Sequence, residues 1–295
     1  MNPHFFRQRH PLVISSYYLL MLLIAMSTTN PLIIGSCFFG SLSFRLVHLK
    51  KGKKHSIIFP LIFLILITIT NPLFVHRGGT ILFFFLDKPM TLEAFVYGFF
   101  MGMMIASVIY LFQNFQTSVD SEKFFYLFGK RFPKSALLVT MVFRFIPLFK
   151  TYYQELNQVQ KTIQRTQKRS FREKTSYGLD LFGNLFSWAL ENAMDTANSM
   201  KARGYGVTTR SSRTVYHWRI LDSFSLVIII SLGSLFIMLV MQGNYQFNFY
   251  PYQENLLLLL KQRWLDYLVI LVFALIPTLN RIREVIVWTI LKSKI

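Results

Sequence analysis

Cysteine is almost missing from this chain of 295 residues: Cys37 is the only one. A single thiol in an apolar run closes no internal disulfide, which removes both a disulfide-stapled fold and dithiol chemistry. Acid is scarce too, with 13 Asp and Glu against 32 Lys and Arg, a formal net charge of +19. Yet charged residues of both signs make up only 15% of the chain, while 53% is hydrophobic and 17% aromatic. A nucleic-acid-binding domain of that net charge carries more charge and fewer apolar runs, so no nucleic-acid partner is expected. Disorder is excluded by the same apolar content. Motifs for chemistry are lacking as well: there is no GxxxxGK[ST] phosphate loop, no HExxH and no GxSxG, and the six histidines show no ligand spacing. No catalytic, cofactor-binding or metal-ligating residue is nominated, and an enzyme is not expected.

What the chain has in abundance is uncharged apolar sequence, with a mean hydropathy of +0.41. A window of about 19 residues, matched to a hydrocarbon core roughly 30 Å thick, selects six candidate spans. They are Leu12 to Thr28, Pro31 to Val47, Ile57 to Val75, Ala94 to Phe112, Ser223 to Met241 and Trp264 to Leu279. The first follows Arg7 and Arg9 as a secretory signal would, but the later spans favour an uncleaved first helix. Ile81 to Leu86 is apolar but too short to cross, and Leu256 to Leu260 ahead of the last span suggests a re-entrant piece. Asn30-Pro31 and Asn71-Pro72 are expected at turns or span ends. Placing both termini in the cytoplasm puts 28 of the 32 basic residues on that side, leaving only Arg77, Lys88, Lys261 and Arg263 outside. The excess charge then faces anionic lipid or an acidic partner.

An ion-coupled transporter needs ionisable groups at membrane depth, and the interiors of the first five spans hold no Asp, Glu or Lys. Arg45 and Asp266 lie near the ends of their runs, where they are expected to reach the interface. Gly98 and Gly102 form a GxxxG whose simplest reading is close packing within the chain. The expected architecture is an all-α polytopic membrane protein. Residues 1–113 form an N-terminal region of about four spans, 114–221 a cytoplasmic region, and 222–295 a C-terminal region of about two spans with a basic tail.

The cytoplasmic region is too polar to span and too periodic for a linker. Ser135 to Phe149 is nearly all apolar, and Leu156, Val159 and Ile163 continue a helical stripe through Lys150 to Arg169. The pattern predicts one long helix kinked at Pro147, which lacks a backbone donor. A second helix is predicted from about Leu179 to Lys201, with Leu181, Leu185, Ala189, Ala193 and Ala197 four apart as a small-residue packing face. Glu191 and Asp195 fall on another face, solvated or paired with basic groups of the first helix. Gly204 is expected to stop the second helix, with Arg203 projecting from its last turn.

Arg144-Phe145-Ile146-Pro147, Ala189-Leu190-Glu191-Asn192-Ala193 and the run Ser199-Met200-Lys201-Ala202-Arg203-Gly204-Tyr205-Gly206 together resemble the transmembrane T component of energy-coupling factor (ECF) transporters. The resemblance covers the cytoplasmic region closely and the spans in general arrangement. It implies two cytoplasmic coupling helices crossing in an X, each ending in an X-Arg-Gly tripeptide that docks on one of two ABC-type ATPases. Ala202, Arg203 and Gly204 match the second tripeptide. The first is degenerate: Lys161, Thr162, Ile163, Gln164 and Arg165 occupy the expected helix end without an Arg-Gly, and Lys161 or Arg165 is left to substitute. The implied partners are the two ATPases, a membrane-embedded substrate-binding S component and the lipid bilayer of a prokaryotic plasma membrane. The implied role is to transmit ATP-driven motion to the S component for uptake of a micronutrient, vitamin or metal ion, with no chemistry in the chain itself. A self-contained permease or channel is the alternative, and predicts polar residues converging at mid-membrane; a membrane enzyme of lipid metabolism predicts an acidic or histidine cluster at the interface.

Overall fold

The computed structural model describes residues 9–48, 55–85, 88–129, 132–163, 171–205, 207, 216, 218–243, 245–251 and 256–293. In chain order its elements are α1 (Pro11–Ser27), α2 (Pro31–His48), α3 (His55–Phe74), β1 (Ile81–Phe85), β2 (Lys88–Thr91), α4 (Leu92–Ser118), α5 (Ser121–Gly129), α6 (Pro133–Ile163), α7 (Phe171–Ala202), α8 (Ile220–Met241) and α9 (Leu256–Ser293). The chain divides into two compact units, one of residues 1–124 and 216–295 and one of residues 125–215.

In the first unit α1 is the element around which the core forms. Val13, Ile14, Tyr17, Met21 and Ile24 are buried there against Cys37 of α2, Phe236 of α8 and Phe273 of α9. The polar atoms of this apolar interior are paired across helices. Pro277 inside α9 cannot donate to the carbonyl four residues earlier, and the Tyr17 hydroxyl donates to that Phe273 carbonyl instead at 3.0 Å. Asn114 donates to the Ser41 carbonyl (2.9 Å), and Asn30 donates to the Tyr267 hydroxyl (3.1 Å).

Glycines set the closest crossings. A Cβ on Gly102 of α4 would stand 2.8 Å from the Leu64 carbonyl oxygen of α3, and one on Gly98 would stand 2.8 Å from Asn71 Cβ. The GxxxG pair therefore serves packing within the chain. Gly40 of α2 does the same against Ala274 of α9, where an added Cβ would approach the alanine Cβ to 2.5 Å.

Among the described residues, six helical segments are long and apolar enough to cross a bilayer: Pro31–His48, His55–Phe74, Leu92–Ser118, Pro133–Val159, Ile220–Met241 and Arg263–Val287. The number matches the sequence reading but the membership does not. α1, at 17 residues, is short by length, and the N-terminal part of α6 takes its place. Ile81–Phe85 pairs antiparallel with β2 in a small hairpin. Asn30 caps α2, accepting from the Leu32 N–H at 3.0 Å, with Pro31 as the first helical residue. Asn71-Pro72 lies in the last turn of α3, which runs on to Phe74. The segment 256–262 is helical and is set off from the last span by a non-helical backbone at Arg263 (φ −137°, ψ 38°). Arg45 does not extend free to the interface: it donates to Thr117 (3.2 Å) and to Ser56, whose hydroxyl donates to Gln113 (2.8 Å).

The second unit holds α6 and α7. α6 is a single helix that continues through Pro147 and ends at Ile163. α7 starts at Phe171, two turns before the predicted Leu179, because Arg172, Glu173 and Lys174 extend a helix well although they add nothing to an apolar stripe.

Candidate functional site

α6 and α7 pair antiparallel through polar and aromatic contacts that run in opposite order along the two helices. Tyr177 donates to Asn157 (2.6 Å). Trp188 stacks on Tyr152, with centroids 4.3 Å apart and planes at 14°, and meets Phe149 edge-on at 5.6 Å. Aromatic pairs of this kind contribute about 0.5–1.5 kcal/mol beyond their buried area. Farther along, Leu137, Met141, Arg144 and Phe145 of α6 face Asp195, Met200, Arg203 and Tyr205 across a cleft of about 580 Å³.

The face of α7 turned to α6 is thus not the one the four-residue spacing selects. Leu181 is buried and Leu185 and Ala189 half-buried, but Ala193 and Ala197 are exposed. Steps of four overshoot the helical turn of 3.6 residues, so by Ala197 the stripe has wound about 160° from Leu181. A three-residue step from Leu185 to Trp188 turns the phase back, and Trp188, Asn192, Thr196 and Met200, half-buried, continue the inward face. Of these, Trp188 was open to recognition as a large aromatic one helical turn from Leu185. Pro147 is exposed on α6.

The C-terminal end of α7 is closed by a left-handed glycine. Gly204 has φ +70°, its N–H donates to the Lys201 carbonyl (2.9 Å), and the Tyr205 N–H donates to the Met200 carbonyl (3.0 Å). This reciprocal pair satisfies two of the last free carbonyls, and it leaves Ala202 as the final helical residue with Arg203 at the cap. Ala202, Arg203 and Gly204 are all exposed. No atom lies within 4 Å of a Cβ added to Gly204, so only its backbone conformation demands glycine. Gly204→Ala is expected to cost roughly 1 kcal/mol, seen as about fivefold faster amide exchange at Met200 to Tyr205 with the middle of α7 unchanged.

Among the degenerate tripeptide residues, Lys161, Thr162 and Ile163 form the end of α6, where the Thr162 hydroxyl donates to the Gln158 carbonyl (3.0 Å). Gln164 and Arg165 lie outside the described residues. Of the two acids, Glu191 is exposed away from the cleft and Asp195 lines it.

The first unit holds a second cavity of about 250 Å³, lined by Ile24, Leu232, Phe236, Val269 and Phe273 with one carboxylate, Asp266. Burial and the neighbouring Asp266 carboxylate push the Tyr245 phenol up to about 12. A single carboxylate beside a neutral phenol offers little for chemistry. Among the described residues no group of three or more His, Cys, Asp or Glu is placed to hold a metal ion. The α6–α7 cleft and the tip beside it are therefore the candidate site: exposed, cationic and built on two paired helices.

A family model described as CbiQ, cobalt transport protein, matches residues 5–216, a stretch that takes in α1 through α7 and the whole of the cleft. No curated protein matches the chain.

Proposed function

The chain belongs to the CbiQ family of cobalt transport proteins, a membrane component of a transporter, and from that premise we propose that it is the transmembrane coupling subunit of an ECF-type ABC importer. In this role it carries motion from two ATPase subunits to a separate substrate-binding S component, and it has no catalytic activity itself. The observation that carries the proposal is Arg203, an exposed guanidinium held at a closed helix end in the middle of the Ala-Arg-Gly tripeptide. A planar fork at a protruding tip suits carboxylates and carbonyls of a docked protein.

Topology follows the placement of basic residues, with both termini and the α6–α7 region on the cytoplasmic face of a prokaryotic plasma membrane. α6 is apolar enough to cross, but a crossing would set Arg144 near the middle of that stretch, where an isolated guanidinium costs at least about 2.5–3.5 kcal/mol. The exposed alanine face of α7 at Ala193 and Ala197 and the apolar surface of α6 are then available to the S component. When the ATPases close on ATP, docked tips are drawn together and the paired helices shift against that neighbour. The transported micronutrient, a vitamin or a metal ion, is chosen by the S component.

Reconstitution tests this. Proteoliposomes holding the chain, its ATPases and an S component should accumulate the ligand bound by that S component when ATP is supplied, and omitting any one should stop uptake. Transport by the chain alone would establish a self-contained permease instead.

A further inference from the structure

Arg144, the first residue of the Arg-Phe-Ile-Pro run in α6, lines the same cleft as Arg203. Both side chains are exposed, and neither has a hydrogen-bond or ion-pair partner among the described residues. We propose that Arg144 and Arg203 act together as one two-guanidinium receptor for an acidic segment of an ATPase subunit. This rests on the docking role given above and extends it, because it makes α6 as well as α7 part of the contact.

The cleft has the layout of a protein-docking surface. It is lined by the half-buried Met141, Phe145 and Met200, by the exposed Tyr205, by the hydroxyl-bearing Thr140 and Ser199 and by the two arginines. Methionine, aromatic and arginine side chains are the residue types that dominate binding at interfaces. Phosphate sites are built instead from convergent backbone N–H groups at helix N-termini, and the α7 end that borders this cleft is a C-terminus, so the attraction for acidic groups here comes from the two guanidinium side chains alone. Asp195 is the one carboxylate in the cleft, and it forms no ion pair with Arg144 or Arg203. The net charge is therefore positive, and Asp195 opposes an incoming acidic segment. A second arginine at this end also offsets the missing Arg-Gly at Lys161 to Arg165, where the other docking tripeptide is expected.

The test uses the full-length chain in detergent and the ATPase purified after copurification with the wild-type chain, with affinity measured at several salt concentrations. Arg144→Glu is expected to weaken binding by about 30-fold or more, as loss of an interface arginine does. Arg144→Lys, which keeps charge and helix propensity but loses the fork, should fall between that variant and wild type and guards against misfolding. Asp195→Asn should tighten binding by a few-fold and steepen its salt dependence. If Arg144→Glu binds as wild type while Arg203→Glu does not, the α7 tip docks alone and the paired receptor is wrong, with the docking role intact. Weaker binding by Asp195→Asn would mean that Asp195 receives a cation from the partner, which overturns the assignment. So would an Arg144→Glu defect confined to vesicles of phosphatidylglycerol, which would make the cleft a lipid site. If neither arginine variant loses the ATPase, the docking role itself fails.

Discussion

Arg203→Glu should reduce ATPase copurification to background while the protein still inserts into the membrane and elutes as wild type from a sizing column. Arg203 is exposed at the cap of α7, and its side chain has no partner among the described residues, so folding loses little when its charge is reversed. A docked complex loses more. The fork disappears, and the carboxylate or carbonyl that met it faces a negative charge, so the loss exceeds that of simple truncation. At an interface centre this amounts to at least about 100-fold in affinity. Arg203→Lys should be intermediate, because an ammonium keeps the attraction without the paired geometry. Unchanged ATPase capture by Arg203→Glu would remove this residue from the mechanism.

The second large effect is on folding of the first unit. Gly102→Val should lower the thermal midpoint in detergent sharply and broaden the size-exclusion peak. An added Cβ meets the Leu64 carbonyl oxygen at 2.8 Å and its Cα at 3.1 Å, which are backbone atoms that move only if α3 and α4 separate. Overpacking of a close crossing costs about 1–3 kcal/mol, and the branched side chain adds to it. Gly98→Val acts on the same crossing through Asn71, so the double variant should be less damaging than the sum of the two. Gly35→Ala is the control: no atom lies within 4 Å of its added Cβ, and alanine favours helix, so stability should hold or rise. A Gly102→Val protein as stable as wild type would mean the two helices do not approach as closely as described.

Legibility in the sequence followed the kind of signal each element carried. The long, nearly uncharged runs at Pro31, Ile57, Ala94 and Ser223 marked their helices directly, since hydrocarbon thickness leaves few alternatives. The end of α7 was legible from Arg203-Gly204, because a glycine after a polar helical turn has one common use. The β1–β2 hairpin was not, as Ile81 to Phe85 lacks the alternation that distinguishes a strand from an apolar helix fragment. The face of α7 turned to α6 was hidden because regular spacing of small residues is conspicuous, whereas packing against α6 follows the bulk of Trp188. The convergence of Arg144 with Arg203 was invisible for a different reason. It depends on the antiparallel pairing of two helices, a long-range property that neither segment encodes alone.

One consequence of the way α7 ends concerns stiffness. A helix whose last carbonyls are open to water frays, and a pull at such a terminus is spent on unwinding before it moves anything. Here Gly204 and Tyr205 bolt the final turn back onto Lys201 and Met200. In the proposed role, a load applied at Arg203 would be carried straight into the helix axis with no backlash, and α7 would act as a strut whose displacement at one end is the displacement at the other.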